Sequence, residues 1–199
     1  MNHHTDRQLA LTWIRKLKGF TTIFVVFMAL VSFSINNQGL FSAEFSDPLI
    51  HYLSFDLRSP FRDFGITLLT SVFIHFNFSH FFSNSIWLLL FGLKLEHTRG
   101  VKILLFTGLT GHLISLLFSF WNFSPDKPHY VLGASAFTLS VIGFTAIVEK
   151  KLFLYMLSGI ILVVLASSSH DQGSHLVAFA VGLLLGLFFD KRIKKKSKS

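Results

Sequence analysis

Six apolar stretches, at about residues 20–35, 68–93, 101–121, 131–148, 152–167 and 175–189, leave this chain few ways to fold in water. Apolar residues make up 51% of the sequence, 25 of them Phe, and charge is confined almost entirely to the connections. Several stretches reach the ~17–25 residues that a spanning helix needs, and the shorter ones suit a helix enclosed by others. In hydrocarbon every backbone N–H and C=O needs an internal partner, so runs of this kind become helices. The sequence predicts an all-α polytopic membrane protein, a bundle of six transmembrane helices.

Charge placement orients it. All of the 18 Lys and Arg except Arg58, Arg62 and Lys127 fall before the first stretch, after the second, after the fourth, or in the tail KRIKKKSKS. By the positive-inside rule both termini are cytoplasmic. This divides the chain into a cytoplasmic segment (1–19), a six-helix membrane domain (20–190) and a basic cytoplasmic tail (191–199). Beside a membrane helix such a tail fixes topology and touches anionic lipid, so no nucleic-acid partner is expected. The first stretch, with Ser42 and Ala43 beyond it, also mimics a secretory signal. The polar residues and long loop that follow favour a retained helix. That first external loop (about 36–66) contains Phe41, Phe45, Leu53 and Phe55 and is expected to lie partly in the membrane interface. With no Cys in the chain, thiol catalysis, disulfides and cysteine-held metals are excluded.

Polar side chains inside apolar segments are costly and mark candidate functional residues. Ser135 lies 15 residues before Lys150, His175 15 before Asp190 and His80 14 before Lys94. Each therefore sits roughly 21–23 Å above the cytoplasmic boundary, in one layer near the outer face. His80 and Asn84 share a helix face. Ala178, Gly182 and Gly186 form a stripe of small residues on the last segment, and Ala136, Ser140 and Gly143 form another beside Ser135. If those stripes pack together, His175 meets Ser135 at the top of the contact. Taken singly, a membrane serine more often bonds its own backbone, and a membrane histidine often serves packing or a proton path. It is the joint spacing and depth that favour a site.

These residues resemble the rhomboid intramembrane serine proteases from about Leu68 to Asp190. The family's H-x4-H-x3-N pattern reads as His75, His80 and Asn84, and its G-x3-E-x3-G turn as Gly92, Glu96 and Gly100. The G-x-S turn reads as Gly133, Ala134 and Ser135, with a later glycine at Gly143. The H-x2-small-x3-G helix reads as His175, Ala178 and Gly182. Three positions depart. Ala136 stands where the family has glycine after the nucleophile, Ile66 and Thr67 replace a Trp-Arg pair, and Leu139 replaces an aromatic residue that packs on the histidine. Phe137 and Phe179 are candidates to take over that packing.

The resemblance implies a serine endopeptidase that needs no cofactor and no metal, and cleaves transmembrane segments of other membrane proteins near the outer face. Ser135 would be the nucleophile and His175 its base, since a serine hydroxyl attacks only when a neighbouring base takes its proton. His80, Asn84 and the Ser135 backbone N–H would form the oxyanion hole. His75, Gly133, Glu96 and Gly182 would be structural. Asp171, in the loop above His175, is the only acidic residue near enough to extend the dyad. The short loop 167–174, containing Gly173, is a candidate cap. The inner membrane of a bacterium is the expected location. The main alternative is an inactive pseudoprotease that binds transmembrane helices, for which Ala136 is the best support. A metalloprotease would want H-E-x-x-H, which is absent, and no apolar segment carries the paired aspartates of an aspartyl enzyme. A transporter would more often show broken helices and inverted repeats, of which the sequence has only weak hints.

Overall fold

The first apolar stretch forms α1 (Phe20–Ile35), and its start is held from elsewhere in the chain. In the computed structural model, which describes residues 19–35, 52–75, 77–124, 130–150, 154–155, 157–161 and 172–196, the Glu96 carboxylate caps that helix. It accepts the N–H of Phe20 (2.7 Å), the N–H of Thr21 (2.8 Å) and the Thr21 hydroxyl (2.7 Å). The first amides of a helix lack internal partners and carry partial positive charge, so a carboxylate there both bonds and neutralises them.

The second apolar stretch is broken. A short helix α2 (Thr67–Thr70) tightens into a 3-10 turn (Ser71–Phe73), and the chain then extends through Ile74. Helix α3 (Phe78–Trp87) begins only after Asn77, whose side chain accepts the His80 N–H at 2.8 Å. An Asn with extended backbone and a satisfied cap is a strong helix start, and it decides the break here. His75 therefore precedes the helix that carries His80 and Asn84 instead of sharing it. After α3 the chain widens into a π-type turn (Leu88–Gly92) and continues as α4 (Leu93–Arg99). Lys94 at its start pairs with Glu149 at 2.9 Å, and that hydrogen bond holds the ammonium above its usual titration range.

Three helices form the centre: α5 (Val101–Trp121), α6 (Ser135–Val148) and α7 (Gln172–Lys196). Among the described helices, α5 and the Gln172–Asp190 part of α7 are long and apolar enough to cross a membrane. Helix α7 runs on through Lys196, so the basic tail begins as helix. Of the fifth apolar stretch, Leu154, Tyr155 and residues 157–161 are helical, and much of the rest lies outside the described residues. Phe41, Phe45 and Asp171 also lie outside them.

Helix α6 is only 14 residues long, yet every residue from Ser135 to Ala146 is buried. It can be short because other helices, not lipid, surround it. A Cβ added to Gly182 of α7 would collide with the Ser140 carbonyl oxygen, and one on Gly143 with the Phe179 carbonyl. The two small-residue stripes thus face each other, and the backbones of α6 and α7 come into direct contact. On the other side, Gly111 and Gly108 of α5 receive the Ser140 side chain and the Phe137 ring. The Ser140 hydroxyl donates to the Thr107 carbonyl at 2.9 Å, leaving no cost for burying it. Ile23, Leu30, Leu117 and Leu184 point outward, while Asn84, His75, His112 and Ser135 are buried, so polar groups sit inside an apolar rim.

The first loop reaches the centre through a two-residue strand. β1 (Phe55–Asp56) pairs antiparallel with β2 (Tyr130–Val131), Phe55 opposite Val131. Phe55 is buried with Leu57 and Leu116, so it belongs to the core and not to the membrane interface. Among the described residues of this loop, Tyr52, Phe61, Phe64 and Ile66 are the large apolar groups that point outward. Arg62 holds the loop together, donating to the carbonyls of Tyr52 (2.9 Å) and Ser54 (3.2 Å) and pairing with Asp56 at 3.7 Å.

Candidate active site

Strand β2 leads directly into a tight turn and then into α6, with Ser135 as the first helical residue. Gly133 makes the turn possible with φ +104, a conformation that side chains resist. It is also squeezed: a Cβ there would lie 2.5 Å from His80 Cε1. The Gly133 N–H donates to the Ser71 carbonyl at 2.8 Å, and the Ala134 N–H to His75 Nε2 at 3.4 Å. The Ala134 carbonyl accepts the Thr138 N–H at 2.8 Å, which starts the helix. Ser135 follows with an amide of the first helical turn, one that the helix itself does not bond.

The Ser135 hydroxyl lies 2.6 Å from His175 Nε2, which comes from the first turn of α7. Both residues are buried, at 3% and 7% exposure, so the pair is shielded from competing solvent bonds. Its geometry follows from the packing below, where Gly182 sets the distance between the two helices. Gln172, Gly173 and Ser174, expected in a capping loop, instead form the first turn of α7.

His80 and Asn84 lie one turn apart on α3, which packs against α6. The His80 ring covers Gly133, two residues before Ser135. Asn84 is fully buried, and neither its Oδ1 nor its Nδ2 has a hydrogen-bond partner among the described residues. A buried amide is rarely left so, because stripping it of water without replacement costs ~1–3 kcal/mol. His75 does a different job. Its Nε2 accepts the Ala134 N–H, so Nδ1 carries the proton and faces the Ser32 oxygen at 3.2 Å. The Ser32 hydroxyl in turn donates to the Phe73 carbonyl at 3.1 Å, and these bonds tie α1 to the turn before Ser135. Among the described residues no three His, Asp or Glu side chains converge as metal ligands do.

The family model of the rhomboid domain matches residues 64–192, well over half of the chain. This chain belongs to the rhomboid family. Comparison with the curated proteins finds no match. As a rhomboid it is an integral membrane protein, and the matched region takes in Ser71, His75, His80, Asn84, Ser135 and His175.

The motifs read from the sequence leave out three residues that shape this rhomboid site: Ser32, Ser71 and His112. His112 is buried in α5 and lies 3.1 Å from the Leu68 carbonyl and 3.3 Å from the Ser71 hydroxyl, both through Nε2. A histidine between Gly108 and Ser115 in an apolar helix was a signal of the same kind as His175. Ser32 and Ser71 carry no such mark, since serine is common in membrane helices. Of the two rings considered for packing on His175, Phe137 stacks on Phe24 at 5.2 Å and covers Gly108, and Phe179 packs against Gly159. Leu139, at the family's aromatic position, is fully buried.

Proposed function

We propose that this rhomboid is an intramembrane serine endopeptidase that cuts transmembrane segments of other membrane proteins near the outer face. The observation that carries the reading is the buried 2.6 Å contact between Ser135 Oγ and His175 Nε2. His175 takes the hydroxyl proton as Oγ bonds to the substrate carbonyl carbon. The negative oxygen of the tetrahedral intermediate is held by the Asn84 amide, the His80 ring and the Ser135 N–H. Collapse breaks the C–N bond, and His175 gives its proton to the leaving amine. Water then attacks the acyl-enzyme with His175 again as base, releasing the second fragment and restoring Ser135.

The distribution of Lys and Arg supports six passes with both termini in the cytoplasm, which sets the site in the outer half of the bilayer. A small site under a membrane surface admits a single extended strand, so the substrate is a lone helix that unwinds locally. Lipid and the substrate helix are the partners, and the bacterial inner membrane is the proposed setting. The test is cleavage of a model single-span substrate by the purified protein, with Ser135→Ala beside the wild type. Cleavage lost in the variant supports the enzyme. A wild type that binds the helix but leaves it intact would instead make this chain a pseudoprotease.

A further inference from the structure

We propose that His112 is a positioning residue for the oxyanion donor of Ser135, acting through Ser71 and Gly133; this rests on the hydrolase reading above. The argument starts from the turn itself. Three consecutive amides, of Gly133, Ala134 and Ser135, determine how the Ser135 N–H points. The first two are tied to the stretch just before α3: Gly133 to the Ser71 carbonyl at 2.8 Å and Ala134 to His75 Nε2 at 3.4 Å. The third lies in the plane of the Ala134 carbonyl, which accepts the Thr138 N–H at 2.8 Å, so three successive planes are each anchored. The Ser71 carbonyl thus anchors the first plane of the turn from which the oxyanion donor follows.

Ser71 sits in a 3-10 turn, an inherently weak element that needs outside support. His112 supplies it from α5. The Leu68 carbonyl can only accept, so Nε2 carries the proton and donates to it at 3.1 Å, with the Ser71 oxygen at 3.3 Å on the same nitrogen. One ring nitrogen thus bridges both ends of the 68–71 turn. His112 is 2% exposed and Ser71 fully buried, so the ring and the hydroxyl are shielded from solvent. His112 itself sits on the next helix over and acts on the reacting atoms only through the turn.

The test compares four purified proteins in detergent: wild type, His112→Leu, His112→Gln and Leu116→Ala. A glutamine places its terminal amide near the position of Nε2 and can still donate to Leu68. Leu116 lies one turn further along α5, buried against Phe55 and Leu57, and serves as a control for stability alone. His112→Leu is expected to lower kcat on a model substrate ~10–100-fold, with KM within about two-fold, because small misplacements of reacting groups have effects of that size. Fluorophosphonate labelling of Ser135 should slow in parallel, and hydrogen–deuterium exchange of the amides at 133–135 should quicken. His112→Gln should recover most of all three, and Leu116→Ala should lose thermal stability but keep kcat. His112→Asn, polar but too short to reach Leu68, replaces the leucine variant if that one does not fold. The proposal is overturned by unchanged kcat, by glutamine as impaired as leucine, by unchanged exchange at 133–135, or by an equal loss of kcat in Leu116→Ala. A wild type that neither cleaves nor labels overturns the hydrolase reading instead, and the exchange comparison then decides by itself whether His112 holds the turn.

Discussion

Gly182→Ala adds one methyl group at the closest approach of two helices, and its effect can be worked out from the packing. The new carbon would overlap the Ser140 carbonyl oxygen and lie 2.8 Å from the carbonyl carbon and 2.9 Å from Cα. Carbon atoms prefer separations of ~3.5–4.0 Å, so α7 must retreat from α6 by roughly 1 Å. Gly182 is seven residues below His175, about 10 Å along the axis, so the retreat carries the histidine with it. The 2.6 Å contact to Ser135 then stretches beyond the ~3 Å limit of a strong O–H···N bond. A misplacement of that size costs ~10²-fold in kcat. Stability moves less: overpacking costs ~1–3 kcal/mol, while alanine in place of glycine in a helix returns ~1 kcal/mol. The expected variant is folded, slightly less stable and about a hundredfold slower on a model substrate. Leu184→Ala, at a position 66% exposed on the outer face of the same helix, is the control and should keep wild-type kcat. Wild-type turnover in Gly182→Ala, with an unchanged melting temperature, would refute the claim that this contact sets the Ser135–His175 distance.

Fluorophosphonates should label Ser135 and need His175 to do so, with chelators without effect, and the losses from Ser135→Ala and His175→Ala should not add, since the two act as one unit. Labelling at full rate in His175→Ala would remove the histidine as base. Asn84→Ala should lower kcat ~10²–10³-fold with little loss of stability, because the amide has no partner to lose among the described residues; a large fall in melting temperature with kcat preserved would make Asn84 structural. Ala136→Gly should leave activity within a few-fold and cost about 1 kcal/mol of stability. If it instead switches on cleavage from an inert wild type, the extra methyl is what disables this chain. Glu96→Ala should lower stability by ~1–2 kcal/mol through loss of the α1 cap, measured by thermal unfolding in detergent, and a stability equal to wild type would mean the cap is replaced by water.

Helical character, the small-residue stripes and the residues of the rhomboid motifs were legible in the sequence, because each depends on local pattern. Apolar length sets a helix in lipid, and glycine every fourth residue sets a face that another backbone can approach. The break in the second stretch was less legible. The run LLTSVFIHFNFSHFFSN is apolar enough to read through, and only the satisfied cap at Asn77 shows where the helix begins. That one cap separates His75 from His80 and gives them different work.

What the sequence alone supplies here is an expected depth: counting along a helix needs no tertiary information, and it assigns Ser135, His175 and His80 to one layer. What only the tertiary structure decides is which of them touch, and what holds them. Glu96 reaches the start of α1, Phe55 turns into the core, and the Ser71 carbonyl and the His75 ring take up successive amides of the turn before Ser135. Those contacts join residues tens of positions apart, with no period or spacing to announce them. They exist because buried polar groups must find partners wherever the packed helices bring one within reach.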